Sequence, residues 1–250
     1  MTFKLLLIVL CAGFMAGSAH TVRAQSPLPK DENVISFRAV AWNRDLPALV
    51  YDLKGKSLPL PLDRGRITQP HLYAGDPVLS FYNTVQVEGK PARVPVAQVK
   101  LNPAQKKILV VIWLTKDLHY VATVLEDEND ALKGGQVRFV NFSGKELALN
   151  CNRRTTILPP GSRHMTDAAN GGVGLKIAID EQRDGLWKLS YMNGIEVSPD
   201  ERVTVFINNP ASLAVPPEDE GSKDLLPPLG IFVLRDTAPL ESGRSAGPSR

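Results

Sequence analysis

The sequence has few of the residues from which reactive centres are usually built. Its 250 residues include four histidines and two cysteines, and neither type recurs at the spacing of a zinc site such as H-x-x-x-H or C-x-x-C. No glycine-rich phosphate loop followed by a lysine and a helix is present either. The sequence therefore predicts no resident metal and no cofactor, and we expect the protein not to be an enzyme.

Long apolar runs are also missing outside the N-terminus. Lys4 and the apolar residues 5–10 precede a stretch of small residues, which is the layout of a secretory signal peptide. We expect cleavage after Ala24, with Ala19 as the alternative. No later segment approaches the ~20 apolar residues of a membrane-spanning helix, so the sequence predicts an exported protein, periplasmic or extracellular, with a signal peptide at 1–24.

Cleavage changes the charge and the cysteine count. Loss of Lys4 and Arg23 lowers the basic residues from 29 to 27 against 26 acidic ones, so the formal charge falls from +3 to +1. A charge this small gives no indication of a nucleic-acid partner. Only Cys151 remains, so no intramolecular disulfide can form. We expect Cys151 to be a small buried residue rather than a reactive thiol.

Helical periodicity is nearly absent, whereas period-two alternation and β-branched residues recur between Pro, Gly and Asn punctuation. This pattern predicts strands throughout. Residues 37–59 can be laid without gaps on residues 137–159. Six positions are identical in that alignment: Arg38/Arg138, Val40/Val140, Ala48/Ala148, Leu49/Leu149, Leu58/Leu158 and Pro59/Pro159. The aligned positions Trp42 and Phe142 are both aromatic, which predicts that these two residues are shared core anchors.

The predicted fold class is therefore all-β, with two tandem immunoglobulin-like β-sandwich domains at 33–128 and 135–238. The polar junction between them, residues 126–135, ends in a glycine pair and is expected to permit bending while it keeps the domains close. Residues 210–228 form an acidic, proline-rich insert, which we interpret as a long loop or an edge-crossing arm. The Gly/Ser/Pro/Arg-rich tail at 239–250 is expected to be disordered.

Several polar clusters favour ordinary surface roles. Ser162, His164 and Asp167 lie too close together in an extended segment to form a hydrogen-bonded relay. The acidic residues 126–130 lack the glycine-turned spacing of a calcium loop, so a solvated linker is the preferred interpretation. Gly171 and Gly172 are typical of a hairpin connection.

The best binding candidates are two loops that follow Pro59 and Pro159. They carry guanidinium, imidazole and phenol groups, which suit carboxylate, phosphate or sugar, although ordinary soluble loops remain the alternative. The candidate residues are Arg64, Arg66, His71 and Tyr73 in the first loop and Arg163 and His164 in the second.

Two tryptophans extend this list of candidates. In the segment 108–114 the even positions are expected to face the core, which places Trp113 on the opposite face, against a neighbouring domain or a partner. Trp187 is the second candidate, because exposed aromatics on a sheet hold sugar rings in carbohydrate-binding sandwiches.

The segment leading from Leu125, Glu126 and Asp127 into V-R-F-V-N-F-S-G at 137–144 resembles the periplasmic adaptor family of bacterial alginate acetylation. That family has a signal peptide, two small β-sandwiches and V-R-x-x-N-x-S-like strand openings. The resemblance implies a non-catalytic scaffold that contacts acetyltransferase partners. In the first repeat the asparagine position is Ala41, which departs from the pattern, and no functional residue is carried over.

The sequence thus favours a non-enzymatic exported adaptor or structural protein that engages an envelope protein, linked to polysaccharide modification. The alternative is a pair of carbohydrate-binding modules that recognise an acidic glycan. A hydrolase with an unrecognised site is a third hypothesis, because converging groups can be distant in sequence.

Overall fold

A computed structural model of the chain describes residues 34–168, 170–181, 186–214 and 228–237. The predicted signal peptide and the predicted disordered tail lie outside these residues. The regular secondary structure of the described part is almost entirely strand and forms four sheets of four strands each, so the prediction of an all-β sandwich fold is confirmed. Its one described helix is the short 3-10 helix Pro210–Ser212, and no described helix is long and apolar enough to cross a membrane.

The first eight strands form two sheets. A first inner sheet has the order β4-β1-β7-β8, and a first outer sheet has the order β3-β2-β5-β6. The strands are β1 Ile35–Ala41, β2 Leu46–Leu53, β3 Lys56–Leu62, β4 His71–Tyr73, β5 Val78–Val87, β6 Lys90–Lys100, β7 Lys107–Leu114 and β8 Tyr120–Glu126. The inner sheet is mixed, because β1 runs parallel to β7 and antiparallel to β4.

The last eight strands repeat this topology. A second inner sheet has the order β12-β9-β15-β16, and a second outer sheet has the order β11-β10-β13-β14. The strands are β9 Gln136–Phe142, β10 Leu147–Cys151, β11 Arg154–Leu158, β12 Arg163–Asp167, β13 Gly172–Glu181, β14 Leu186–Glu196, β15 Glu201–Asn208 and β16 Gly230–Thr237. β9 is again parallel to β15. The same strand order in both halves supports the predicted duplication.

Each inner sheet packs on its outer sheet through alternate side chains, as a β-sandwich requires. Phe37 and Val110 of the first inner sheet share a core with Phe81 of the first outer sheet. Phe139 of the second inner sheet shares a core with Ile177 of the second outer sheet. The immunoglobulin-like assignment itself stays a prediction, since each half has eight strands rather than about seven.

A third apolar cluster lies between the two inner sheets. It is formed by the opposite faces of β1, β7 and β8 on one side and of β9, β15 and β16 on the other. Its buried members are Val40, Trp42, Leu109, Val111, Leu125, Val140, Phe206 and Leu234. Each half thus contributes its equivalent strands to this contact, and all described strands belong to one compact unit, Asn33–Arg250. The boundaries at 33–128 and 135–238 stay a prediction.

Trp42 belongs to this third cluster, where its ring stacks on Phe206 with 5.4 Å between centroids. Phe142 packs against the same group. Trp42 and Phe142, which were predicted to be shared core anchors, both fill the space between the sandwiches. One large ring from each half contributes to a shared contact.

The junction between the halves is packed rather than loose. Asp127 is largely buried and binds Arg38, so it is not part of a fully solvated linker. A Cβ at Gly134 would collide with the carbonyl oxygen of Pro199, and the Gly135 N–H donates to the Glu201 carbonyl at 2.8 Å. The glycines are needed for close approach of the chain, which differs from the bending expected of them.

The start of the predicted insert crosses to the other half. Leu213 forms a bridge with Thr115, and the Ala214 N–H donates to the Leu114 carbonyl at 3.0 Å. Asn43 donates from its side chain to the carbonyls of Leu114 and Ala214. Residues 210–214 therefore behave as the edge-crossing arm, and residues 215–227 lie outside the described chain.

Candidate functional site

The most exposed apolar surface lies on strand β14. The side chains of Leu186, Trp187, Leu189 and Met192 are 69%, 41%, 54% and 64% exposed. Single exposed apolar residues are ordinary, but several adjoining ones mark an interaction surface. This strand is also the edge of the second outer sheet, so its outer main-chain groups face no strand of the described sheet.

A β-bulge brings three of these side chains onto one face. Leu189 lies opposite Ala178, and Met192 lies opposite Lys176, with a register shift between Ile177 and Ala178. Because residues 176 and 178 share the outer face of β13, their partners share it too. Without the bulge, Leu189 and Met192 would point to opposite sides, since side chains alternate along a regular strand.

The apolar surface continues across the sheet. Leu189, Ala178, Ala148 and Ile157 are consecutive cross-strand partners from β14 to β11, and Ile157 is itself exposed. We call Ile157, Trp187, Leu189 and Met192 the β14 face. It has the chemistry of a surface that packs against another apolar surface rather than of a catalytic site.

The corresponding face of the first outer sheet carries charged side chains among apolar ones. Arg93 lies over the ring of Tyr82, with 4.2 Å from its guanidinium carbon to the ring centroid. It also donates to Asp52 at 2.9 Å, and Ser57 donates to the same carboxylate. The hydrogen bond from Arg93 lowers the pKa of Asp52. The first outer sheet also has a row of cross-strand partners with apolar side chains, Pro59, Val50, Tyr82 and Pro95. The second outer sheet differs in the large, strongly exposed side chains of Leu189 and Met192.

Trp187 is the one sequence-predicted site residue that belongs to the β14 face. Ile157, Leu189 and Met192 were not identified from the sequence. The alternation of residues 186–192 is interrupted by the bulge, and Ile157 becomes adjacent to Leu189 only through the pairing of four strands. The visible signal was the unusual density of large apolar residues in a segment that also carries Lys188 and Ser190.

The first predicted loop contains a shallow groove. A cavity of about 360 Å³ is lined by Asp63, Arg66, Thr68, Gln69 and His71. Arg66 is strongly exposed and lies 3.6 Å from the Asp63 carboxylate. Arg64 is exposed, and its main-chain N–H donates to Asp45 at 2.7 Å. The exposed Arg66 side chain therefore lines the groove beside the Asp63 carboxylate.

His71 and Tyr73 serve the fold more than the groove, because both belong to strand β4. The His71 ring stacks on Phe37, and its Nδ1 lies 3.3 Å from the Tyr51 hydroxyl. Burial lowers the pKa of His71, so its neutral form is favoured. The Tyr73 hydroxyl donates to the carbonyls of Asp76 and Val78, and burial is the main cause of its raised pKa.

Arg163 and His164 lie on strand β12 rather than in a loop. Gly65 of the first loop approaches Phe232 of β16, and β16 lies at the far edge of its sheet from β12. Three strand spacings, ~14 Å, separate these edges. The two cationic segments that the sequence grouped together therefore do not form one site.

Trp113 packs between the sandwiches. Its ring lies 5.2 Å from that of Trp42 and 5.2 Å from that of Phe142. Ile108, Val110 and Ile112 face the first core instead, so the predicted alternation of β7 is confirmed. Trp113 contacts the neighbouring half, which was one of its two expected positions.

The weaker clusters also have structural partners. Ser162 donates to the Pro159 carbonyl, whereas Asp167 accepts from Gln136, so these two groups are engaged separately. Cys151 lies in the second core, where burial raises its pKa to about 11. Across the described residues, no three His, Cys, Asp or Glu side chains are grouped closely enough to hold a metal ion.

Comparisons with known proteins add no family. No protein-family model matches the chain, and no curated protein matches it significantly.

Proposed function

We propose that this protein is a non-enzymatic adaptor that is exported and engages a protein of the bacterial envelope through its β14 face. The observation that carries the proposal is the row of exposed apolar side chains on an edge strand, with Trp187, Leu189 and Met192 adjoining one another. Aromatic and methionine side chains are typical anchors of protein interfaces. An edge strand also offers main-chain groups for strand addition.

The rest of the molecule suits a scaffold. Three apolar clusters connect four sheets into one unit, so the β14 face is presented on a firm support. The expected link to polysaccharide modification rests on the resemblance at residues 125–144. It is part of the proposal and calls for a partner among envelope enzymes that act on a polymer.

Site-specific photo-crosslinking tests the proposal in cells of the source organism. A photoreactive residue at Leu189 should give one discrete adduct with an envelope protein, whereas the same residue at Thr84 on the first outer sheet should give none. The double change Leu189→Ser and Met192→Ser should abolish crosslinking from a probe at Ile157. Val87→Ser is the matched control, because Val87 is equally exposed on the other half. Absence of any adduct at Leu189 would refute the adaptor role of this face.

The second candidate function is recognition of an acidic glycan in the groove beside β4. It is favoured by the exposed Arg66 and the amide of Gln69 along one cavity, since guanidinium binds carboxylates bidentately. Calorimetric titration with uronic-acid oligosaccharides should show binding that Arg66→Gln weakens at least tenfold. Equal heats for the wild type and the variant would remove this candidate.

A further inference from the structure

Strand β14 directs a row of main-chain groups to the free edge of its sheet. Gly174 on the neighbouring strand β13 donates its N–H to the Asn152 side chain at 2.9 Å, and its carbonyl accepts from the Asn152 N–H at 3.0 Å. The N–H and the carbonyl of Gly174 therefore both point away from β14. Its antiparallel partner Gly194 then directs its own N–H and carbonyl outward, to the edge.

The same direction recurs along the strand. On β13 every second residue points as Gly174 does, and the partners of these residues on β14 have their N–H and carbonyl at the edge. The bulge between Leu189 and Tyr191 shifts the series by one residue. The residues with outward main-chain groups are Trp187, Leu189, Met192 and Gly194.

This outward row is bounded at one end. Beyond Gly194, the Glu196 carbonyl accepts from Arg235 at 3.0 Å, which closes the edge there. The Gly194 N–H donates to the side chain of its neighbour Asn193 at 2.8 Å, which is a local bond outside the ladder of the sheet. The edge from Trp187 to Gly194 is thus suited to pairing with another extended strand.

The equivalent edge of the first outer sheet is poorly suited to such pairing. Strand β6 carries Pro91 and Pro95, and proline has no N–H to donate to a neighbouring strand. Strand β14 contains no proline. Because edge strands use proline to prevent edge-to-edge pairing, its absence from β14 distinguishes this edge from its counterpart.

The outward row reads the same in both directions. Its members are two, three and two residues apart, because the bulge lies at its centre. Two copies of β14 that run antiparallel about a two-fold axis would therefore bring Leu189 opposite Met192 and Trp187 opposite Gly194. Each pair joins two residues with outward main-chain groups, so each pair can exchange two main-chain hydrogen bonds.

The side chains of the outward row suit this register. Leu189 and Met192 are 54% and 64% exposed, and each would cover the other across the joined strands. A Cβ at Gly194 would meet nothing within 4 Å, so the Trp187 ring of the second copy has room over that glycine. All four residues of the row are uncharged, so no like charges meet across the pair.

We propose that two copies of this chain associate through antiparallel pairing of their β14 strands. The pairing joins the two second outer sheets, of four strands each, into one continuous sheet. The side chains of the outward row stay on the face of that sheet, so the apolar row of each copy lies beside the row of the other. The association does not require the envelope partner, so the purified chain suffices to test it.

Sedimentation velocity of the mature chain tests the proposal by charge complementation. The wild type should show a concentration-dependent rise from the mass of one chain to that of two. Leu189→Lys combined with Met192→Lys places lysines opposite each other and should give a monomer, and the corresponding pair of changes to Glu should do the same. An equimolar mixture of the two double variants should restore the dimer, because each lysine then faces a glutamate. Val87→Lys, at an exposed position of the first outer sheet, should behave as the wild type.

Hydrogen exchange followed by mass spectrometry gives a readout that needs no variant. Peptides from residues 186–196 should exchange more slowly as the chain concentration rises, whereas peptides from residues 78–87 should not change. A monomer at every concentration would overturn the proposal. A dimer that persists in both double variants would also overturn it, because the contact would then lie elsewhere. A self-adduct from a photoprobe at Leu189 has twice the mass of one chain, which separates it from an adduct with an envelope protein.

Discussion

Arg38 in the first sandwich donates to Asp236 in the second sandwich at 2.6 Å, although 198 residues separate them in the chain. Their side chains are only 16% and 20% exposed. Charge-assisted bonds in partly buried places are stronger than surface ion pairs. The contact between the halves is therefore held by an ionic cluster beside the apolar one.

Removing one partner of this contact should destabilise the protein. Asp236→Asn removes a negative charge that balances the guanidinium groups of Arg38 and Arg202. We expect the free energy of unfolding to fall by roughly 2 kcal/mol, which is less than the ~3–5 kcal/mol lost when a fully buried pair is broken. Urea titration at neutral pH measures the free energy of unfolding of the wild type, of Asp236→Asn and of a control variant. Asp52→Asn, at the more exposed pair with Arg93, should cost under ~1 kcal/mol. Equal losses at both sites would contradict the structural importance of the interface pair.

The same aspartate should make stability depend on pH. Burial opposes ionisation of Asp236, but the bonds and charges of Arg38 and Arg202 outweigh it and lower its pKa in the folded state. A carboxyl with a lowered folded-state pKa stabilises the fold above its unfolded pKa, near ~4, and loses that contribution as the pH falls through the folded value. The difference in urea midpoint between wild type and Asp236→Asn should therefore be constant from pH 7 to 5 and shrink below pH 4. A difference that grows on acidification would contradict this sign.

The alternation of β7 was predictable because Ile108, Val110 and Ile112 lie on a regular strand, where period two holds. The shared face of Leu189 and Met192 was not predictable, because a bulge shifts the alternation of side chains by one residue and has no signature in the composition. The role of Asp127 was hidden for another reason: its partner Arg38 is 89 residues away. Contacts between whole sandwiches do not follow from local pattern.

The repeat alignment shows where gapless comparison fails. Leu49 lies opposite Leu60 in the β2–β3 hairpin, whereas Leu149 lies opposite Thr156 in the β10–β11 hairpin. The first hairpin is longer, so the identity of Leu58 with Leu158 does not reflect an equivalent position. Arg38 and Arg138, which precede both hairpins, do correspond. Strand identity was predictable, but turn positions were not.

The ring of Trp42 should couple the unfolding of the two halves. It contacts Trp113 within its own half and Phe142 and Phe206 of the other half. Trp42→Ala should cost about 3–5 kcal/mol and split a single unfolding transition into two, because the shared cluster then joins the sandwiches weakly. Differential scanning calorimetry resolves the transitions. Phe37→Leu, in the first core only, should keep one transition; two transitions in the wild type would contradict the coupling.

The N-x-S part of the strand opening at residues 137–144 has a packing role, which Asn141 carries. Its side-chain nitrogen donates to the carbonyls of Lys145 and Leu158 at 2.8 Å each, and its oxygen accepts from Ser143. The residue is fully buried. Asn141→Ala should therefore cost about 2–3 kcal/mol, since several buried groups lose a partner. Asn150→Ala, on the exposed face of β10, should be nearly neutral in the same urea titration, and a similar loss at both positions would contradict a clamping role for Asn141.

Cys151 should report global unfolding rather than act as a reactive thiol. Its side chain lies in the second core beside Leu149 and Leu175, and burial raises its pKa to about 11, so the thiolate needed for nucleophilic attack is scarce at neutral pH. We expect labelling by an aromatic disulfide reagent to be at least a hundredfold slower in the native protein than in urea. The native rate should rise when Trp42→Ala or Asp236→Asn lowers stability, because the thiol becomes accessible through unfolding. Rapid labelling of the native wild type would show instead that the second core opens on its own near β10.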